Sequence, residues 1–219
     1  MLNIPSIPLC EYAERVNKVQ AAMKAEGYDL LLSYGNEAEP QYVRYFSNYW
    51  PSFETAGVLI PAEGKPMLLI GPESYTYAAD RTKIPDIRQL KAFRESSEPE
   101  YPGKKLDTFN SVFSEMLGDK PVRRFGVAGL PLMTIGVYEA LSESLKAYGD
   151  VKIEKADEIV NKIRMIKTEN ELACMRAAAR ITHETFDYVL QNIRVGMTEQ
   201  QAQERGIAYK AGRFPFTAS

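Results

Sequence analysis

The sequence predicts an α/β protein, with an N-terminal mixed sheet flanked by helices across residues 1–155 and a helical segment across 156–219. Three observations carry this. Short apolar runs of strand length alternate with segments of helical periodicity, which implies layers of helix on sheet. The run Leu30-Leu31-Leu32 is apolar without alternation, as in a strand covered on both faces. After Ala156 strand signals cease and helix caps take over.

The elements follow in order. Over residues 11–26, Tyr12, Val16, Val19 and Met23 fall at helical spacing on one face, and Gly27 supplies the stop. Residues 28–33 form the first strand and 40–46 a short helix. An aromatic loop covers 47–53. Strands at 56–61 and 65–71 flank Ala62-Glu63-Gly64, a glycine-containing hairpin connection. A helix is expected at 73–81, a strand at 87–93 and a polar loop at 94–105, which holds two prolines and a glycine. Helices at 106–117 and 132–148 then alternate with strands at 124–128 and 151–154. Beyond the composition change, residues 157–165 read as a helix. Thr168 and Glu171 form a capping box that opens a long helix to about residue 193, its apolar face drawn from Leu172, Met175, Ala179, Thr182, Phe186, Val189 and Ile193. Gly196 ends it, and Thr198 with Gln201 caps a last helix to about residue 211. Two such helices do not close a core, so 157–219 is expected to be the beginning of a larger domain.

Composition narrows the function. The chain has 219 residues, 45% hydrophobic and 26% charged, which fits a folded globular protein. Its 27 basic and 29 acidic side chains leave a net charge of −2, without the basic excess that nucleic acid demands. No apolar run approaches the ~20 residues that span a bilayer, and the N-terminus lacks the basic start of a secretory signal, so no membrane partner is expected. Two cysteines, Cys10 and Cys174, make no disulfide framework and point to a reduced, cytoplasmic protein. Phosphate-loop, Cys-x-x-Cys and Gly-x-Ser-x-Gly patterns are absent. The one histidine, His183, has Asp187 four residues on and reads as an ion-paired surface residue. The stretch 98–101 reads as a solvated loop.

The loop Asn48-Tyr49-Trp50-Pro51-Ser52-Phe53 admits two readings. Trp and Tyr give large contact area with a polar handle and often serve recognition. Alternatively, Trp50 and Phe53 pack under the sheet edge.

Residues 159–203 resemble the opening of the catalytic domain of Xaa-Pro aminopeptidases, prolidases and creatinase. The resemblance rests on Arg164 and Lys167, on Glu171-Leu172, and on Gly196-Met197-Thr198-Glu199. The first segment resembles the N-terminal domain of the same family, through its opening helix, Gly27, Asp29, Leu30 and Leu31, then Tyr45-Phe46 and the hairpin at 56–71. The ordered set covers nearly the whole chain.

The resemblance implies a parent protein that hydrolyses bonds before proline in proline-containing peptides, with the start of a pita-bread catalytic domain after residue 155. It implies two divalent metal ions (Mn, Co or Zn), held by two aspartates, a histidine and two glutamates, which activate a hydroxide and polarise the scissile carbonyl. The first aspartate sits in an Asp-x-Gly strand, and no Asp-x-Gly occurs here. The segment 214–219 resembles the strand that precedes it. The chain by itself is therefore expected to bind no metal, to have no catalytic residue and to be inactive alone. In the family, loops of the N-terminal domain reach the partner subunit and border its active site. Asn48, Tyr49 and Trp50 are thus the candidates for substrate access or subunit contact, and a homodimer through residues 1–155 is expected. The alternatives are a creatinase-like amidinohydrolase and a non-catalytic peptide- or protein-binding module of the same fold.

Overall fold

A computed structural model describes residues 4–52, 54–95, 101–118 and 120–213. The chain divides into two compact units. One is Leu9–Met165; the other joins the N-terminal stretch to residues from Ile166 onward.

The first unit opens with α1 (Leu9–Glu26), which buries Tyr12, Val16, Val19 and Met23, the stripe that its periodicity demands. Gly27 stops it at φ 77°, a conformation a side chain resists. The chain continues through β1 (Leu30–Asn36), α2 (Gln41–Ser47), β2 (Thr55–Pro61), β3 (Met67–Ile70), α3 (Tyr75–Arg81), β4 (Ile87–Gln89), α4 (Phe109–Leu117), β5 (Arg124–Ala128), α5 (Ile135–Leu145), β6 (Lys152–Lys155) and α6 (Asp157–Met165). The six strands form one mixed sheet in the order β4-β3-β2-β1-β5-β6. β2 runs antiparallel to β1 and β3; the remaining pairs are parallel. The fold is the α/β arrangement that the apolar patterning predicts.

β1 lies inside the sheet and is covered on both faces. Leu31 joins the layer formed by α1, α2 and α6, while Leu30, Leu32 and Tyr34 join the layer formed by α4 and α5. All three leucines are fully buried. Each such burial contributes about 1.5–3 kcal/mol relative to exposure.

The structure corrects several bounds. The strand expected at 87–93 ends at Gln89, and Lys91–Phe93 is a 3-10 turn. Its partner β3 stops at Ile70, Leu90 makes only an isolated bridge to Asp107, and Phe93 turns into the core. The helix expected at 132–148 is confined to α5, flanked by 3-10 turns, because Thr134 is extended and caps the Val137 amide. Likewise α4 begins three residues late, after the Thr108–Ser111 capping box. The compact unit that holds the sheet runs through Met165. The reason is that α6 packs on α1 and β5, burying Ile159 and Val160.

In the second unit, α7 (Glu169–Asn192) carries the expected reciprocal cap, Thr168 Oγ1 accepting from Glu171 N at 3.1 Å and Glu171 Oε2 from Thr168 N at 2.8 Å. α8 (Glu199–Arg213) is capped the same way by Thr198 and Gln201. The face of α7 that packs differs from the one expected. Ala177 and Thr185 are buried, whereas Met175, Ala179, Thr182, Phe186 and Ile193 are exposed. At its C-terminal half α7 packs on α8: Gly206 admits Val189 and Thr185 closely, and Tyr209 stacks on Tyr188 at 4.4 Å. Among the described residues no helix is long and apolar enough to cross a membrane. Phe53, residues 98–100 and the segment 214–219 lie outside the described residues.

Candidate functional site

The three candidate contact residues lie where α2 ends and the chain turns toward β2. α2 stops because Asn48 takes the left-handed conformation, φ 62°, with its amide donating to the Arg44 carbonyl. Asparagine tolerates this geometry better than most residues. Its side chain donates from Nδ2 to the Arg81 carbonyl at 3.2 Å, tying the turn to α3.

The next two residues part ways. Tyr49 is fully enclosed, its amide donating to Ser47 Oγ at 3.1 Å and its hydroxyl to Glu54 Oε1. It offers no surface within this chain. Trp50 is 41% exposed. Its Nε1 donates to the Glu37 carbonyl at 3.0 Å, and the Arg44 guanidinium lies over its ring at 4.8 Å. An anchored edge and an open face suit a contact residue, because little side-chain freedom is left to lose on binding. Tyr77 lies beside this group, its ring 5.6 Å from that of Tyr49 and under the guanidinium of Arg81. Trp50 and Tyr77 are both exposed aromatics, residue types common among interface anchors.

Beneath the turn lies a buried carboxyl group that sequence reading did not single out. Glu54 is 5% exposed. Its Oε1 accepts from Tyr49, while its Oε2 has no hydrogen-bond partner among the described residues. Burial pushes the Glu54 carboxyl up to about 7. Tyr49, the Ser74 hydroxyl and the Gly71 amide oppose that rise, and the neighbouring Glu73 charge adds to it. Burial and the Glu54 bond also push the Tyr49 hydroxyl up. Gly71 is required here: a Cβ would stand 2.6 Å from the Phe93 carbonyl and 3.0 Å or less from both Glu73 and Glu54. On its other side Glu54 borders a cleft of about 850 Å³, lined also by Asn36, Glu37, Arg94, Glu95 and Thr134. The one available signal was a carboxylate placed directly before β2, which is apolar from Ala56 onward.

The remaining candidates are simply placed. His183 Nε2 lies 3.4 Å from Asp187 Oδ2 on exposed α7. Cys10 and Cys174 form no disulfide with each other. Among the described residues no three His, Cys, Asp or Glu side chains cluster so as to hold a metal ion.

The family model described as Creatinase/Prolidase N-terminal domain matches residues 15–166. The uncharacterized hydrolase/peptidase y4tM of Sinorhizobium fredii is 25% identical over 196 residues, covering 86% of this chain and 47% of that protein. The X-Pro aminopeptidase from Thermotoga maritima superposes with a TM-score of 0.65 at 21% identity, covering 87% of this chain and 47% of that one. The Xaa-Pro dipeptidase from Bacillus anthracis gives 0.61 at 19% identity, covering 92% and 49%. The prolidase from Pyrococcus furiosus gives 0.60 at 18%, covering 87% and 50%. These superpositions establish the shared fold. The chain spans about half the length of the relatives it matches.

Proposed function

Because this chain belongs to the creatinase/prolidase N-terminal domain family, we propose that it forms the amino-terminal part of a peptidase that cleaves Xaa-Pro bonds, of aminopeptidase P or prolidase type. The observation that carries this reading is the family match across residues 15–166, together with the superposition on an X-Pro aminopeptidase. In this reading the longer protein works in the cytoplasm on proline-containing peptides, using two divalent metal ions (Mn, Co or Zn). When bound, such ions supply an activated hydroxide and a polarised carbonyl. Their ligands belong to sequence outside these 219 residues, and the chain alone is inactive.

The role of this chain is assembly and substrate access. Trp50, with Asn48 beside it, meets the partner subunit of a homodimer at the border of its active site, and Tyr49 anchors the turn from within. The exposed aromatic and arginine side chains around Trp50 support this assignment. Exposed Phe186, Leu190, Ile193 and Ile207 support the view that the second unit belongs to a larger apolar core.

The test begins with the coding sequence downstream of Ser219. An Asp-x-Gly strand, with a second aspartate about a dozen residues later, is expected. The protein made from the whole reading frame and loaded with manganese should then hydrolyse an Xaa-Pro dipeptide, at a rate proportional to enzyme. Turnover of creatine instead assigns the creatinase-like amidinohydrolase. A frame that supplies no metal-ligand set leaves a peptide- or protein-binding module and overturns the peptidase reading.

A further inference from the structure

We propose that Glu54 is a positioning residue, which holds the segment carrying Trp50 through Tyr49 and loosens that segment when its buried carboxyl group ionises. The geometry supplies the latch. Tyr49 lies next to Trp50 and is fully enclosed, and its hydroxyl donates to a carboxyl group just before β2. The bond therefore ties the end of α2 to the start of β2, with Trp50 between the two tied residues.

The carboxyl group is poised to change state. Oε1 is already occupied by the Tyr49 hydroxyl, whereas Oε2 is buried without a hydrogen-bond partner among the described residues, which leaves it the oxygen open to a proton. Across Gly71 a second carboxylate faces it: Oε2 of Glu54 and Oε2 of Glu73 lie 3.0 and 2.9 Å from the point where a Gly71 Cβ would stand. The groups around Glu54 are the Tyr49 and Ser74 hydroxyls, the Gly71 amide, Glu73, and Glu37, Arg94 and Glu95 along the cleft. No ion pair joins Glu54 to a basic residue among the described residues. An ionised carboxylate enclosed without a cation is unfavourable, and opening the turn to water relieves it.

Linkage gives the direction. Enclosed Glu54 holds its proton more tightly than hydrated Glu54, with burial as the main cause. Opening therefore releases a proton. The opening constant should rise about tenfold per pH unit from the ordinary carboxylate range toward neutrality, then level off. The functional meaning, a contact surface that firms as pH falls, rests on the assignment of Trp50 as a subunit contact. The latch itself does not.

Trp50 is the single tryptophan of the chain, so its fluorescence reads this segment directly. Acrylamide quenching of the 219-residue chain should increase as pH rises from about 5.5 to about 8. Glu54→Gln should abolish the titration. Glu73→Gln, on an exposed residue, should move the midpoint to lower pH by removing a neighbouring negative charge. A flat wild-type profile overturns the proposal, as does a titration that survives Glu54→Gln with its midpoint unchanged. If Glu54→Gln fails to fold, an unmoved midpoint in Glu73→Gln overturns it. A titration that vanishes on dilution reports self-association and also overturns it. Read at dilutions where the chain is monomeric, the quenching profile depends on neither peptidase activity nor the dimer, so failure of the functional assignment is distinguishable from failure of the latch.

Discussion

Asp29 ties two neighbouring strands together by a side chain, its Oδ2 accepting the backbone amides of Arg123 at 2.8 Å and Arg124 at 3.1 Å. The Asp29 amide in turn donates to the Arg124 carbonyl at 3.1 Å. The Gly-Tyr-Asp step after α1 thus has a physical purpose. Gly27 reverses the chain, Tyr28 enters the core, and Asp29 sets the register of β1 against β5.

Removing that carboxylate strands two amides at the start of β5. Asp29→Ala should cost roughly 1–3 kcal/mol, measured as a lower urea midpoint with an unchanged slope. A midpoint equal to that of the wild type shows that water replaces both bonds.

Asn48 combines a left-handed backbone with a side-chain bond to α3. Asn48→Gly should be close to neutral, because relief of the backbone offsets the lost bond. Asn48→Ala loses the bond and gains the strain, and should cost about 1–2 kcal/mol. Urea unfolding of the pair separates the two contributions, and equal costs would show that backbone conformation is not the constraint.

Glu54 should make global stability depend on pH in an unusual sense. Its carboxyl is raised to about 7 in the folded protein, so the folded state keeps a proton that the unfolded chain has released. The stability from this group is therefore complete below the ordinary carboxylate range and is lost as pH rises to about 7. The loss approaches about 3 kcal/mol. Unfolding wild type and Glu54→Gln from about pH 5 to pH 8 should show the difference closing in favour of the variant as pH rises. Parallel curves would place the carboxyl in its ordinary range.

Trp50→Ala removes a residue held by one hydrogen bond and one cation–π contact at the surface. Folding stability should fall by no more than about 1 kcal/mol. In the proposed homodimer, sedimentation velocity at tens of micromolar should shift from dimer to monomer. A variant that still dimerises places the interface elsewhere.

Local rules made much of this protein legible in its sequence. The helical spacing of Tyr12, Val16, Val19 and Met23, the Gly27 stop, the run Leu30-Leu31-Leu32 and the caps at Thr168 and Thr198 each act over a few residues, and each takes the form its pattern demands. The aromatic turn was visible as a place of interest because its composition is unusual.

What the turn does with each residue was decided by tertiary structure. Adjacent Tyr49 and Trp50 are chemically alike, yet one is sealed in the core and the other faces outward, because α2 ends in a left-handed residue and α3 closes over one side. Glu54 gained its character only when β3 brought Gly71 and Glu73 against it. The packing of the C-terminal half of α7 likewise depends on where α8 lies. The sequence determined the elements, since backbone caps and apolar periodicity are short-range. Only the tertiary structure decided burial, and burial is what turns an ordinary glutamate into a carboxyl group that titrates near neutrality.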